Sequence, residues 1–168
     1  VAPPPNESTQ FFPGSLPYSS ERRHLKMKAS LRHFFSDFLK CGLTGWCMEI
    51  LFTSLNALRR RDLTLKGSTS IWMFPIYGSA AFFGPLSRLL KKKPVFLRGL
   101  LYMLLIFTME HFSGKLLSKK KLCPWDYGHS RWNIHRLIRL DYAPLWFLAG
   151  LFFERLLKIS QRSDIAPS

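Results

Sequence analysis

Along this chain, long apolar runs alternate with short polar or basic connectors, and four of the runs are long enough to predict helices that cross a bilayer. The first covers residues 34–55, FFSDFLKCGLTGWCMEILFTSL. Asp37 and Lys40 lie near its start, within snorkelling reach of the interface. Gly42 and Gly45 let a neighbouring helix come close. The second covers 71–90, and the stretch 67–87 holds no charged residue, the clearest membrane signal in the chain. Pro75, Gly78, Gly84 and Pro85 interrupt it, an arrangement that a bundle tolerates because neighbours satisfy the freed backbone groups. The third covers 95–114, with Arg98 near its start in a position to snorkel, and Glu110 and His111 late in it. The fourth covers 142–159 and carries Glu154 and Arg155.

The pattern therefore predicts an all-α, polytopic membrane protein with about four transmembrane helices. Residues 1–20 are Pro- and Ser-rich, lack the basic-then-apolar layout of a signal peptide, and read as a disordered tail. Residues 21–33 form a basic juxtamembrane segment able to lie on a membrane surface as a helix. The membrane domain is 34–159, and 160–168 reads as a second disordered tail. Between the third and fourth helices, the connector 115–141 is rich in Trp and Tyr and reads as interfacial. Its part 131–141 is expected to be a short helix lying flat.

Composition sharpens this picture. The formal net charge is +15, from 25 Lys and Arg against 10 acids, yet 47% of the 168 residues are apolar. A soluble domain so basic would point to nucleic acid. Here the basic residues instead cluster between the apolar runs, as Arg59-Arg60-Arg61, Lys91-Lys92-Lys93 and Lys119-Lys120-Lys121. That layout points to a lipid bilayer as partner, anionic lipids among its components, and other membrane subunits, rather than nucleic acid. Lys and Arg divide almost evenly between the two sides of a four-helix layout, with a lean to an inner N-terminus.

The three cysteines, Cys41, Cys47 and Cys123, fit neither a disulfide framework nor a zinc pattern. No GxxxxGK[ST] phosphate loop, GxSxG elbow, HExxH or paired CxxC occurs. No enzyme activity, catalytic residue, cofactor or metal site is expected. His111 beside Glu110 is a weak ligand candidate, because adjacent helix positions point in different directions.

The acids inside the apolar runs carry the functional lead. A carboxylate in hydrocarbon costs several kcal/mol on most scales, so such residues face protein or a water-filled cavity. At the helical rise, Glu49 and Glu110 both fall about 22 Å from the N-terminal face of their parallel helices, and Glu154 roughly 18 Å in from the opposite face. The first two are thus nearly level, in the same leaflet as the connector with Asp126, Asn133 and Asp141, and Glu154 is offset. A polar centre of Glu49, Glu110, Glu154 and Asp126 follows, in which two nearby carboxylates would share a proton. It suits a proton, a metal cation or a cationic substrate. In the plainer alternative the acids are hydrogen-bonded glue between helices.

Several short motifs then fall in a characteristic order. Gly45-Trp46-Cys47-Met48-Glu49 resembles the Gly-Tyr/Trp-x-x-Glu start of the transmembrane protein 229 family, and Pro75-Ile76-Tyr77-Gly78 resembles its second signature. Glu110, then Trp125-Asp126-Tyr127, then Asn133 and Ile134, follow in the family order. The resemblance covers residues 34–157, and bacterial relatives of the group carry an ABC-transporter permease label. It implies a multi-pass membrane protein whose acids in the first and third helices are shared across the group. Arg136 stands where the family often has glycine, a departure that argues against a tight turn or close ligand approach there. The favoured function is a transport-related, permease-like component with a buried carboxylate centre, driven by a gradient or a partner ATPase. A membrane scaffold is the alternative, and a lipid-acting membrane enzyme a distant third.

Overall fold

The computed structural model describes residues 18–163, with side chains from Arg22 to Ser160, so the tails expected at 1–20 and 160–168 fall largely outside the described residues. The chain divides into two compact units, Val1–His33 and Phe34–Ser168. In the first, the described residues from Tyr18 are helical and every side chain from Arg22 to His33 is exposed. They open α1, Tyr18–Arg59.

The second unit contains the rest of α1, then α2 (Met73–Gly78), a 3-10 turn (Ser79–Phe82), α3 (Phe83–Leu89), α4 (Val95–Lys119) and α5 (Ala143–Ser163). By length and apolar composition, α4 is the one helix among the described residues able to cross a membrane.

Prolines and glycines explain the shape of the Met73–Leu89 run. Pro75 is the third residue of α2 and Pro85 the third of α3. In a first turn the missing N–H removes no helical bond, so each proline opens a helical piece rather than breaking one. The 3-10 turn joins the two pieces, with the Ser79 hydroxyl donating to the Ile76 carbonyl at 2.6 Å. The interruption is thus absorbed within the run, by a change of helical pitch.

Two of the basic triplets stop helices. At the end of α1, Arg61 takes φ 60°, its N–H donates to the Leu58 carbonyl at 2.9 Å, and the Asp62 N–H reaches Ala57 at 3.0 Å. At the end of α4, Lys121 takes φ 56°, donating to Ser118 at 3.1 Å, while Leu122 reaches Leu117 at 2.9 Å. Both are Schellman caps with a basic residue in the left-handed position usually given to glycine. The cationic side chains complement the negative end of the helix dipole.

Small residues let the helices meet. An ideal Cβ on Gly99 would lie 2.4 Å from the Phe147 ring, and one on Gly150 2.4 Å from Tyr102 Cβ, so α4 and α5 each receive the other's aromatic side chain. Between α1 and α2 the exchange is similar: Gly45 faces Tyr77, and Gly78 faces Phe38. Cys41, Ala80, Phe83, Tyr102, Phe153 and Leu157 form the buried cluster at the centre.

Charged side chains expected at the interface are instead tied inside the unit. Asp37 is buried, and its carboxylate accepts from the Ser160 hydroxyl at 3.1 Å, while Lys40 donates to Ser160 at 2.6 Å. Arg98 does not snorkel. It pairs with Glu154 at 3.2 Å.

The connector differs from the flat helix expected at 131–141. It forms a two-stranded antiparallel hairpin, β1 (Asn133–Ile134) and β2 (Ile138–Arg139), with Asn133 opposite Arg139 and Ile134 opposite Ile138. The tight turn exists despite the missing glycine. His135 and Arg136 both take left-handed φ, 52° and 63°, as a turn matched to strand twist requires. The Asn133 side chain holds it, accepting from the Arg136 N–H at 3.1 Å and donating to the Ser130 carbonyl at 2.5 Å. The Arg136 guanidinium adds a two-pronged pair with Asp126, at 3.0 and 2.5 Å.

This pair yields a pH prediction. The Arg136 guanidinium, then the Gly128 N–H, hold the exposed Asp126 carboxyl at about 2, below its ordinary 3.8. The folded value is depressed, so the contribution is complete above the ordinary carboxylate range and fades as pH falls through about 2. The Gly128 amide resonance, followed by NMR, is expected to titrate with a midpoint near 2. A midpoint close to 4 would show that the pair does not form.

Candidate functional site

One cavity of about 810 Å³ lies in the second unit, and residues from α1, the 68–70 loop, α2, the 3-10 turn, α3, α4, the connector and α5 line it. Its walls are mostly apolar and aromatic, with Phe52, Tyr77, Phe83, Trp125, Tyr127, Tyr142, Trp146 and Phe153 among them. Two carboxylates open on it: Glu49 from α1 and Glu110 from α4.

Each carboxylate has its own donors. Glu49 is half-buried and accepts from the Thr69 hydroxyl at 2.7 Å. Glu110 is only 7% exposed; one oxygen accepts from the Trp146 indole at 3.1 Å and the other from the Tyr127 hydroxyl at 3.4 Å. Among the described residues no hydrogen bond joins the two acids, so the shared proton of the sequence-based expectation has no direct bridge. A carboxylate accepts at about four lone-pair sites, so both retain capacity for a further donor.

The other acids of the expected centre lie elsewhere. Glu154 is 2% exposed but does not line the cavity; it pairs with Arg98 of α4 and with Lys158 one turn along α5. Asp126 is exposed and occupied by Arg136. Its direction follows from alternation along the connector, where Cys123, Trp125 and Tyr127 are sheltered while Pro124 and Asp126 are exposed. Pro124, Trp125 and Tyr127 line the cavity, and Asp126 between the two aromatic residues does not. The polar centre thus contracts from four acids to two.

The remaining motif residues shape the walls. Gly45 lets Tyr77 approach α1, and Gly78 receives Phe38. Trp46 donates its indole N–H to the Ser70 carbonyl at 3.0 Å, fixing the loop that carries Thr69. Pro75 opens α2, which presents Tyr77 to the cavity. Trp125 donates to the Leu137 carbonyl at 3.1 Å, locking the hairpin against the segment that bears Tyr127. Asn133 holds the turn. His111 stands apart from the acids, its ring 5.8 Å from that of His135.

Sequence reasoning missed Thr69, Tyr142 and Trp146. A signal for the last two exists. Tyr142, Leu145, Trp146, Ala149 and Phe153 recur at helical spacing and all line the cavity, so one face of α5 and the turn before it forms a wall.

A family model described as "Putative ABC-transporter type IV" matches residues 36–165, which include every cavity residue. The chain belongs to that family. That description is consistent with a transport-related membrane protein. The matched range starts inside α1 and ends after α5, so the family's extent coincides with the second unit rather than with the basic opening of α1. No solved structure matches the chain.

Proposed function

We propose that this ABC-transporter-type family member is a four-span, permease-like component that holds its cargo in the Glu49–Glu110 cavity. One observation carries the reading: acids from two helices far apart in sequence open on the same large cavity, roofed by the Trp125–Tyr127 segment. The motif order that resembles the transmembrane protein 229 group supplies seven of the lining residues: Met48, Glu49, Ile76, Tyr77, Glu110, Trp125 and Tyr127.

Four membrane crossings suit the dimensions. The part of α1 from Phe34 is about 39 Å long, the Met73–Leu89 run roughly 27 Å, α4 about 37 Å and α5 about 31 Å, against a hydrocarbon core of about 30 Å. Length and composition together pass only α4 among the described residues, because polar and charged residues dilute α1 and α5 and the 3-10 turn divides the Met73–Leu89 run into short pieces. Those charges are internally matched: Asp37 and Lys40 around Ser160, and Glu154 with Arg98 and Lys158. Large apolar side chains meanwhile stand exposed on every segment, among them Leu43, Leu51, Phe82, Leu104, Phe112 and Leu148, as a lipid-facing surface requires. The basic residues from Arg22 to Arg32 suit anionic lipids, and the absence of a nucleotide-binding loop assigns energy supply to a gradient or a partner subunit.

A second reading has its own observation. Glu110 ties α4 to both the connector and α5, so the acids also serve as joints in a scaffold. The two readings part on whether the cavity is open in the membrane. In a cysteine-free background (Cys41, Cys47 and Cys123 replaced), Ile106→Cys on the cavity wall is expected to react with N-ethylmaleimide in sealed vesicles. A scaffold closes that space with packed neighbours, so an inert Ile106→Cys beside a reactive Lys120→Cys control, at the exposed end of α4, would overturn the transport reading.

A further inference from the structure

We infer that the cargo is a cationic amphiphile: one ammonium group on an apolar stem, with no anionic group of its own. The inference rests on the chamber reading above and names its ligand class. In a chain with 25 Lys and Arg, the cavity lining contains two carboxylates and no Lys, Arg or His. An anion would therefore meet negative groups and find no cationic partner, while a cation finds a carboxylate on α1 and another on α4.

The rest of the lining fits the same chemistry. Tyr77, Tyr127, Trp125 and Trp146 stand with the acids, and aromatic faces attract ammonium groups by their negative quadrupoles. Tyr127 and Trp146 also engage Glu110 directly, so ring and carboxylate act as one receptor for a charged head. The volume of about 810 Å³ far exceeds an inorganic ion and suits a ligand of drug or lipid-chain size. A small hard cation would need several oxygen ligands close together, whereas Glu49 and Glu110 are each engaged by separate donors.

Exposed apolar side chains among the lining residues indicate where the stem lies. Leu51, Leu55, Phe82 and Met109 line the cavity and are also exposed, so its wall merges with an apolar outer surface. A ligand seated with its head at the acids runs its stem out along these residues, reaching the cavity from the lipid phase. Zwitterionic aminolipids share the ammonium but bring a phosphate for which the lining offers no cation, so the favoured source is a simple long-chain amine.

The test uses the full chain in detergent micelles, with radiolabelled dodecylamine as probe and unlabelled competitors. Saturable binding is expected, displaced by dodecylamine and by tetraphenylphosphonium at least about tenfold better than by dodecanol or dodecanoate, a ratio set by one charge-assisted contact. Glu110→Gln and Glu49→Gln are expected to weaken binding about tenfold or more each, while Asp62→Asn, exposed and outside the cavity, leaves it unchanged. The competitor series needs no variant, so a misfolded Gln substitution does not protect the inference. Equal displacement by dodecanol or dodecanoate overturns the cationic class while leaving an open chamber standing. Displacement by phosphatidylethanolamine as strong as by the amine overturns the exclusion of anionic groups. No saturable binding, together with a reactive Ile106→Cys, overturns the amphiphile alone; with an inert one, the chamber reading falls as well.

Discussion

Glu154→Ala is expected to be the most destabilising single substitution in the helical unit, by about 3–5 kcal/mol, because it leaves a sheltered cation without its partner. The Arg98 side chain is 16% exposed and that of Glu154 3%, so solvent screens the pair little. The second partner, Lys158, is 48% exposed and contributes far less. The contact joins α4 to α5, the pair of helices that also share the Gly99–Phe147 and Gly150–Tyr102 interlock. Loss of the carboxylate therefore loosens the tightest seam in the fold. The check is the midpoint of denaturation in detergent, compared with Arg98→Met and with the double replacement Arg98→Met, Glu154→Met. The double variant is expected to recover most of the loss, since apolar residues of similar volume often replace such pairs at no net cost. If it remains as unstable as Glu154→Ala, the loss does not come from a cation left without its partner. A recovered double variant that also binds dodecylamine normally would confirm that Glu154 is structural and stands outside the cargo site.

The second large effect is expected at Gly45→Ala. Helix propensity alone favours alanine over glycine by about 1 kcal/mol. Against that, a Cβ at Gly45 would lie 2.1 Å from Tyr77 Cγ, 2.3 Å from its Cβ and 2.6 Å from Cδ1. These atoms belong to the stem of the side chain, which cannot swing clear without moving the backbone of α2. Overpacking of this kind costs typically about 1–3 kcal/mol and here exceeds the propensity gain. Gly42→Ala supplies the comparison. Its nearest contacts, at 2.8 to 3.0 Å, are the outer ring atoms of Phe74, and a small ring rotation relieves them. Gly45→Ala is thus expected to lower the denaturation midpoint well below that of Gly42→Ala. Tyr77→Ala is not expected to rescue it, because the offending Cβ remains. Rescue by Tyr77→Ala would mean that the ring, not the helix approach, sets the constraint. The same substitution pushes Tyr77 into the cavity and is expected to reduce amine binding along with stability.

Much of the helical layout was legible before any fold was known. The apolar runs at 34–55, 71–90, 95–114 and 142–159 mark stretches that are helical over nearly their whole length, because run length and proline position are local properties. Glu49 and Glu110 stood out for the same reason: an acid within an apolar run is visible in one dimension. The hairpin at 133–139 was not legible. Its turn uses His135 and Arg136 in the left-handed region, where a sequence reader looks for glycine or asparagine. The turn holds because Asn133 and Asp126 clamp it, and that clamp is a matter of three-dimensional contact.

From the order of residues alone came the mostly helical character, the basic stops between helices and the candidacy of Glu49 and Glu110. These depend on spacing along the chain, and spacing is what a sequence records directly. Which acids share a space was decided only by the tertiary structure. Glu154 found Arg98 on the neighbouring helix, and Asp126 was turned outward by the alternation of an extended segment. Trp146 reached back to Glu110 across the bundle. Partnerships of this kind depend on which helix faces meet, and packing sets those faces only after the helices have formed.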